Sequence, residues 1–209
     1  MNTVFTDIRQ HSIVEPASLT SGVVFALPHS GRDYGVSFLN QSILNRRSIR
    51  SSEDAFLDKL IDGIEKYGAP TIIANAPRAF IDLNRSTDEL DPALISGIKN
   101  SIRNPRVSSG LGVIPRVVAH GKEIYRGKLS FEQAQSRIAY YWKPYHKDLS
   151  DLLKRAQSIY GQSLLIDLHS MPHEAVSTQS SFIKAPEIVV GDRFGMSSDS
   201  EFTNLVISI

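Results

Sequence analysis

Two short apolar runs in this chain each lead to a histidine. Gly22-Val23-Val24-Phe25-Ala26-Leu27 runs into Pro28-His29-Ser30-Gly31, and Ser163-Leu164-Leu165-Ile166-Asp167-Leu168 runs into His169-Ser170. Short, continuous runs rich in aliphatic and β-branched residues are the pattern of strands buried on both faces, the habit of α/β sheets. In open sheets of this kind, ligands bind outside the carboxyl ends of the strands. A polar residue delivered there is placed for chemistry.

The intervening sequence supports the same class. Asp54 to Tyr67 predicts an amphipathic helix, with Phe56, Leu57, Leu60, Ile61 and Ile64 on one face and Gly68 as its stop. Thr71–Ala74 and Ala79–Leu83 read as further strands, completing a strand–helix–strand alternation. From Ser86 to Gly127 the periodicity fades among Pro92, Pro105, Gly110, Gly112 and Pro115. A stretch of that length is expected to be a lid over a site or an ordinary insertion. Ser130-Phe131-Glu132-Gln133 is a capping box that opens a helix to about Tyr160, which Pro144 should kink or split and Gly161 should close. Glu187–Val190 reads as a last strand. No repeat or low-complexity segment intervenes, so residues 1–209 read as one α/β domain.

Composition narrows what the site can be. The chain has 209 residues, enough for one substantial core, and no cysteine. Disulfides, thiolate zinc fingers and a cysteine nucleophile are therefore excluded. A net charge of +1 gives no electrostatic case for nucleic acid or an anionic membrane as partner. No run approaches the roughly 20 apolar residues of a membrane span. Met1 to Arg9 lacks a basic stretch followed by an apolar one. A soluble cytoplasmic protein is the expectation, with its oligomeric state left open.

His29 and His169 are the candidate metal ligands. Asp167, two residues before His169 on the same strand face, suits the spare N–H of a ligating imidazole. Catalytic zinc usually takes three protein ligands plus a water. Asp33, Glu53, Asp54 and Asp58 are the carboxylates available as the third. Asp54, where the helix should begin, joins the two histidines in the working set; a helix N-cap is its competing role, and the other three stay open. Imidazole and carboxylate donors suit zinc and several other divalent ions. In Asp82-Leu83-Asn84-Arg85 a fork-shaped cation adjoins an amide donor, a combination that grips carboxylates, although a surface salt bridge is the plainer use of Arg85. His146 reads as packing on an aromatic helix. His173 and Glu174 lie near His169 in sequence and are weaker candidates for a metal or acid–base role.

On these residues the chain resembles the N-formylglutamate amidohydrolase family, related to zinc carboxypeptidases and aspartoacylases. Six segments carry the resemblance in order: Leu27-Pro28-His29-Ser30-Gly31-Arg32, Ile81-Asp82-Leu83-Asn84-Arg85, Gly110-Leu111-Gly112-Val113-Ile114-Pro115-Arg116, Tyr140-Tyr141-Trp142-Lys143-Pro144-Tyr145-His146, Leu165-Ile166-Asp167-Leu168-His169-Ser170 and Gly191-Asp192-Arg193-Phe194-Gly195. The resemblance implies a carboxypeptidase-like, three-layer α/β/α fold around a mainly parallel or mixed sheet. It implies a zinc site using His29 and His169, with Asn84 and Arg85 receiving a substrate carboxylate. The implied reaction is hydrolysis of N-formyl-L-glutamate, a small acidic acyl-amino acid, to formate and L-glutamate in histidine breakdown.

Two features depart from the pattern. Carboxypeptidases place a ligating glutamate three residues after the first histidine, where this chain has Arg32. The family also continues to a late strand bearing a glutamate suited to act as general base, whereas this chain stops at Ser208-Ile209. It is therefore expected to be C-terminally incomplete, with impaired activity. Two other readings stay open: a metallo-amidase or carboxypeptidase-like enzyme acting on small peptides or cell-wall fragments, and an inactive fragment or binding module.

Overall fold

A computed structural model describes residues 7–98, 104–175 and 186–208. The first six residues, where a leader would begin, and residues 99–103 of the irregular stretch lie outside the described ones. The chain divides into two compact units, Met1–Ser170 and Met171–Ile209.

The first unit carries the α/β architecture. It begins with β1 (His11–Val14), β2 (Val23–Leu27), three short helices α1 (Val36–Gln41), α2 (Arg46–Ile49) and α3 (Leu57–Leu60), and β3 (Thr71–Ala74). There follow α4 (Pro105–Ser108), a hairpin of β4 (Val117–Val118) and β5 (Lys122–Glu123), the helices α5 (Phe131–Arg137) and α6 (Lys143–Tyr160), and β6 (Leu164–Asp167). The main sheet has the order β1-β3-β2-β6. β2 runs parallel to both neighbours and β1 runs antiparallel on the outer side of β3, so the sheet is mixed.

The register of β2 on β6 positions the histidines. Ala26 pairs with Asp167, and the Leu168 N–H donates to the Ala26 carbonyl at 2.9 Å. The two strands therefore leave the sheet side by side at their carboxyl ends. His29 and His169 come within a few residues of that point. Gly31 is needed here, because a Cβ on it would sit 2.1 Å from the Ala76 carbonyl oxygen.

The capping box is present as expected. Ser130 accepts the Gln133 N–H while the Gln133 side chain accepts the Ser130 N–H, and Gly161 closes the helix in a left-handed conformation with φ of 75°. The helix is divided just before Pro144, where Ile138–Trp142 form a π turn between α5 and α6. Proline has no N–H for the carbonyl four residues back. That carbonyl, on Tyr140, accepts the Gln10 side-chain amide at 2.6 Å. The missing donor is replaced from outside the helix.

Three expectations for the first unit differ. Asp54–Tyr67 is not one amphipathic helix: α3 is a single turn, a 3-10 turn covers Ile64–Tyr67, and both Phe56 and Gly63 are left-handed. Leu57 is buried, but Phe56 and Leu60 face solvent. The helical period is present, but no continuous helix carries it into a core. Ala79–Leu83 is not a strand. Ala79, Phe80, Ile81 and Leu83 are buried as strand residues would be. Yet the Pro77 carbonyl accepts the N–H groups of Phe80 and Ile81, and the Asp82 N–H donates to Val113 at 2.8 Å. A core-buried turn and a short buried strand have the same apolar signature. Finally, the described part of Ser86–Gly127 is no lid, because Leu94, Ile95, Val113, Ile114 and Ile124 are built into the core.

The second unit contains a 3-10 turn at His173–Ala175 and α7 (Ser200–Ile207), whose Glu201 N–H is capped by Asp199. Glu187–Val190 is irregular, with a bend at Glu187 and no strand pairing among the described residues, and Ile188 is 83% exposed. A strand needs a partner, and apolar content alone does not supply one. Among the described residues no helix is long and apolar enough to cross a membrane.

Candidate metal centre

The strand ends bring the two histidine rings to a centroid separation of 4.7 Å, tilted by 45°. Asp54 lies between them. Its Oδ2 is 2.9 Å from His169 Nδ1 and 3.7 Å from His29 Nδ1. One donor atom from each of His29, Asp54 and His169 falls within 4.8 Å of the other two. Two donors each about 2.0–2.1 Å from a tetrahedral zinc are about 3.3 Å apart, so the two carboxylate-to-imidazole distances straddle the spacing such an ion requires. Asp54 is not a helix N-cap. Its backbone N–H donates to the His29 carbonyl at 3.0 Å, and Phe56 occupies the cap of α3.

The surroundings of His29 sharpen this fit. Its ring is buried, and Nε2 donates to Asp82 Oδ1 at 2.7 Å. Burial pushes the Asp82 carboxyl up, but the His29 hydrogen bond and the charges of His29, Arg78 and Arg85 prevail and hold it down at about 2. The ionised Asp82 keeps a proton on Nε2, so Nδ1 is the nitrogen through which His29 could coordinate a cation. That nitrogen is buried and has no hydrogen bond. A buried polar atom without a hydrogen bond is costly unless it serves another purpose. Here it is directed to the side where Asp54 and His169 stand.

His169 is arranged in the same way with weaker shielding. Its Nε2 lies 3.1 Å from Asp167 Oδ2 and 3.0 Å from the Asn84 amide. Burial lowers the His169 pKa, but hydrogen bonds and charge from Asp167 and Asp54 raise it further, to about 9. Burial likewise pushes Asp54 up, and the two imidazoles outweigh it, holding the carboxyl well below its ordinary range. Three carboxylates thus surround two imidazoles, with the guanidiniums of Arg78 and Arg85 also against Asp82.

The other carboxylate candidates are engaged elsewhere. Asp33 binds Arg9, Glu53 binds Arg50, and Asp58 pairs with Arg32, the residue standing where carboxypeptidases have a glutamate. Asn84 reaches the site, with its amide donating to Asp167 at 3.0 Å. Arg85 adjoins it: Nη1 donates to the Asn84 carbonyl at 3.2 Å, while Nε is buried without a hydrogen bond, 3.8 Å from Asp82. His146 packs on Trp142 as the aromatic run suggests. His173 and Glu174 belong to the second unit. The residue that sequence reasoning passed over is Asp82. Its signal is a lone acid inside the apolar segment Phe80-Ile81-Asp82-Leu83.

Residues 21–209 match the family described as N-formylglutamate amidohydrolase. An N-formylglutamate deformylase of Pseudomonas aeruginosa is 25% identical over 179 residues, covering 85% of this chain and 61% of the relative. One from Pseudomonas putida is 26% identical over 151 residues, covering 71% of this chain and 51% of the relative. The chain thus spans between half and two thirds of the length of these two relatives. A crystal structure of N-formylglutamate amidohydrolase from Ralstonia eutropha JMP134 superposes with a TM-score of 0.82 at 28% identity, covering 95% of this chain and 72% of that one. A gene product from Agrobacterium tumefaciens shares the fold, with a TM-score of 0.55 at 14% identity and coverage of 78% and 57%.

Proposed function

The chain belongs to the N-formylglutamate amidohydrolase family, and on that premise we propose that it hydrolyses N-formyl-L-glutamate to formate and L-glutamate, using a divalent metal ion held by His29, Asp54 and His169. The observation that carries this reading is the buried, unbonded Nδ1 of His29, kept free for coordination by the Asp82 bond on the opposite side of the ring. Zinc suits the donor set of two imidazoles and one carboxylate. When bound, such an ion supplies a Lewis acid for the formyl oxygen and brings the pKa of a water to about 7.

The chain's own residues do the rest. Asp82 and Asp167 accept the outer N–H groups of the two imidazoles, which orients the rings and raises their basicity as ligands. Arg85 receives a substrate carboxylate, with the neighbouring Asn84 amide fixing its approach. Anchoring the glutamyl end converts binding energy into orientation of the formyl carbon over the metal centre. A carboxypeptidase-like layering of helices on both faces of the sheet accompanies this reading.

The test combines elemental analysis with formate release on one preparation of the protein. His169→Ala is expected to lose metal retention through gel filtration and to release no formate. Undiminished zinc in that variant would overturn the metal site. Release of amino acids from small peptides without formate from N-formyl-L-glutamate would overturn the substrate.

A further inference from the structure

We infer that Trp142 and His146 are positioning residues that brace the substrate-anchoring turn at Asn84 and Arg85. The inference rests on Arg85 being the carboxylate receptor, as proposed above. The turn belongs to neither helix nor sheet, so its backbone carbonyls need partners from elsewhere. Trp142 Nε1 donates to the Arg85 carbonyl at 2.8 Å, and His146 Nε2 lies 2.8 Å from the Leu83 carbonyl. These two carbonyls flank Asn84 on either side.

The two braces act as one unit. Residues four apart on a helix lie one above the other, and here the indole and imidazole stack with centroids 3.8 Å apart and planes 28° from parallel. Trp142 is the last residue of the π turn and His146 lies in the first turns of α6. π turns are rare and frequent at functional sites. The Asn84 N–H bonds to Asp82 Oδ1 at 2.9 Å, so the same turn is also tied to the carboxylate that orients His29. Holding both carbonyls leaves the Asn84 amide and the Arg85 guanidinium as the parts of the turn that meet a substrate.

Backbone amide exchange tests the brace without any need for turnover. In the full chain loaded with zinc, His146→Leu and Trp142→Phe should speed exchange at residues 83–86 roughly two- to tenfold, the scale of one net hydrogen bond. His146→Gln, which keeps an N–H donor, should restore slow exchange, and α6 should keep its protection in all three. Unchanged exchange in His146→Leu, or loss of protection along α6 as well, would overturn the brace. Kinetics adds a second readout: KM for N-formyl-L-glutamate should rise roughly five- to tenfold in His146→Leu with kcat within about twofold. A fall in kcat alone would overturn it. Trp142 is the chain's single tryptophan, so its emission should shift as N-formyl-L-glutamate saturates the site, and an unresponsive emission counts against the brace. If the parent releases no formate, the proposed reaction fails, and the exchange result still decides the brace.

Discussion

Arg137 and His29 are both buried polar side chains, and the way each is enclosed is instructive. Arg137 is fully buried; Nη1 donates to the Phe80 carbonyl at 3.0 Å and to the Tyr125 hydroxyl at 2.7 Å, and Nη2 donates to Gln41 at 3.1 Å. Its guanidinium carbon lies 4.1 Å from the centre of the Phe80 ring. These partners are neutral dipoles and a π face, and they tie α5 to the turn before Asp82 and to α1. His29 is held as tightly on one nitrogen, by an ionised carboxylate, while its other nitrogen is buried and unbonded. The first arrangement turns its contacts inward to the core and serves stability. The second keeps one donor in reserve, which is a cost to the metal-free fold and a gain only when a cation takes it.

That contrast can be broken by experiment. The largest effect is expected at Arg137→Met, which leaves the Phe80 carbonyl and the Tyr125 hydroxyl buried without their cation. Unfolding by urea should show a loss of about 3 kcal/mol, while metal affinity in the folded fraction stays near that of the parent. Asp82→Asn should do the reverse. Loss of the carboxylate partner of a ligating histidine typically costs about 10- to 100-fold in metal affinity, and titration against a chelating dye should find it with little change in the urea midpoint of the metal-free protein. If Asp82→Asn instead destabilises the fold and spares metal affinity, the distinction between the two enclosures is lost.

The smallest effect is a dependence on pH. His169 has a pKa raised to about 9, so in metal-free protein its bonds to Asp54 and Asp167 contribute stability that is complete below its unfolded value of about 6.5. That contribution should fade as the pH rises through about 9. A bound metal replaces the proton on His169, so the zinc-loaded protein should not show the decline. Thermal melts between these limits, with chelator and with zinc, compare the two states. Parallel curves would mean that proton and metal do not compete for this ring.

Much of the sheet is legible in the residues alone. β2 and β3 stand out as continuous apolar runs because both faces of each strand are largely covered, and burial of that kind leaves a local mark; β6 has the same apolar run although Leu165 and Asp167 are exposed. The Ser130 capping box and the Gly161 stop are likewise contacts between near neighbours. β1 leaves no such mark, since His11-Ser12-Ile13-Val14 lies at a sheet edge and is only partly covered. The Asp54–Tyr67 segment reads as one helix and is not one, because helical spacing is a permissive signal. Phe56 with φ of 63° and Gly63 with φ of 89° break the chain where the periodicity continues.

The candidate site divides along the same line. That His29 and His169 sit beyond strand ends follows from residues immediately beside them, and so does the pairing of Asn84 with Arg85. Which acid meets them does not. Asp82 is 53 positions from His29, and Asp54 is 115 from His169. Four carboxylates of nearly equal promise are reduced to Asp54 by the side-by-side exit of β2 and β6 and by the capture of Asp33, Glu53 and Asp58 by arginines. Short-range order is written into neighbouring side chains because their interactions span one or two turns of chain. Partners across the sheet are chosen by packing of the whole core, where many distant burials must be satisfied together.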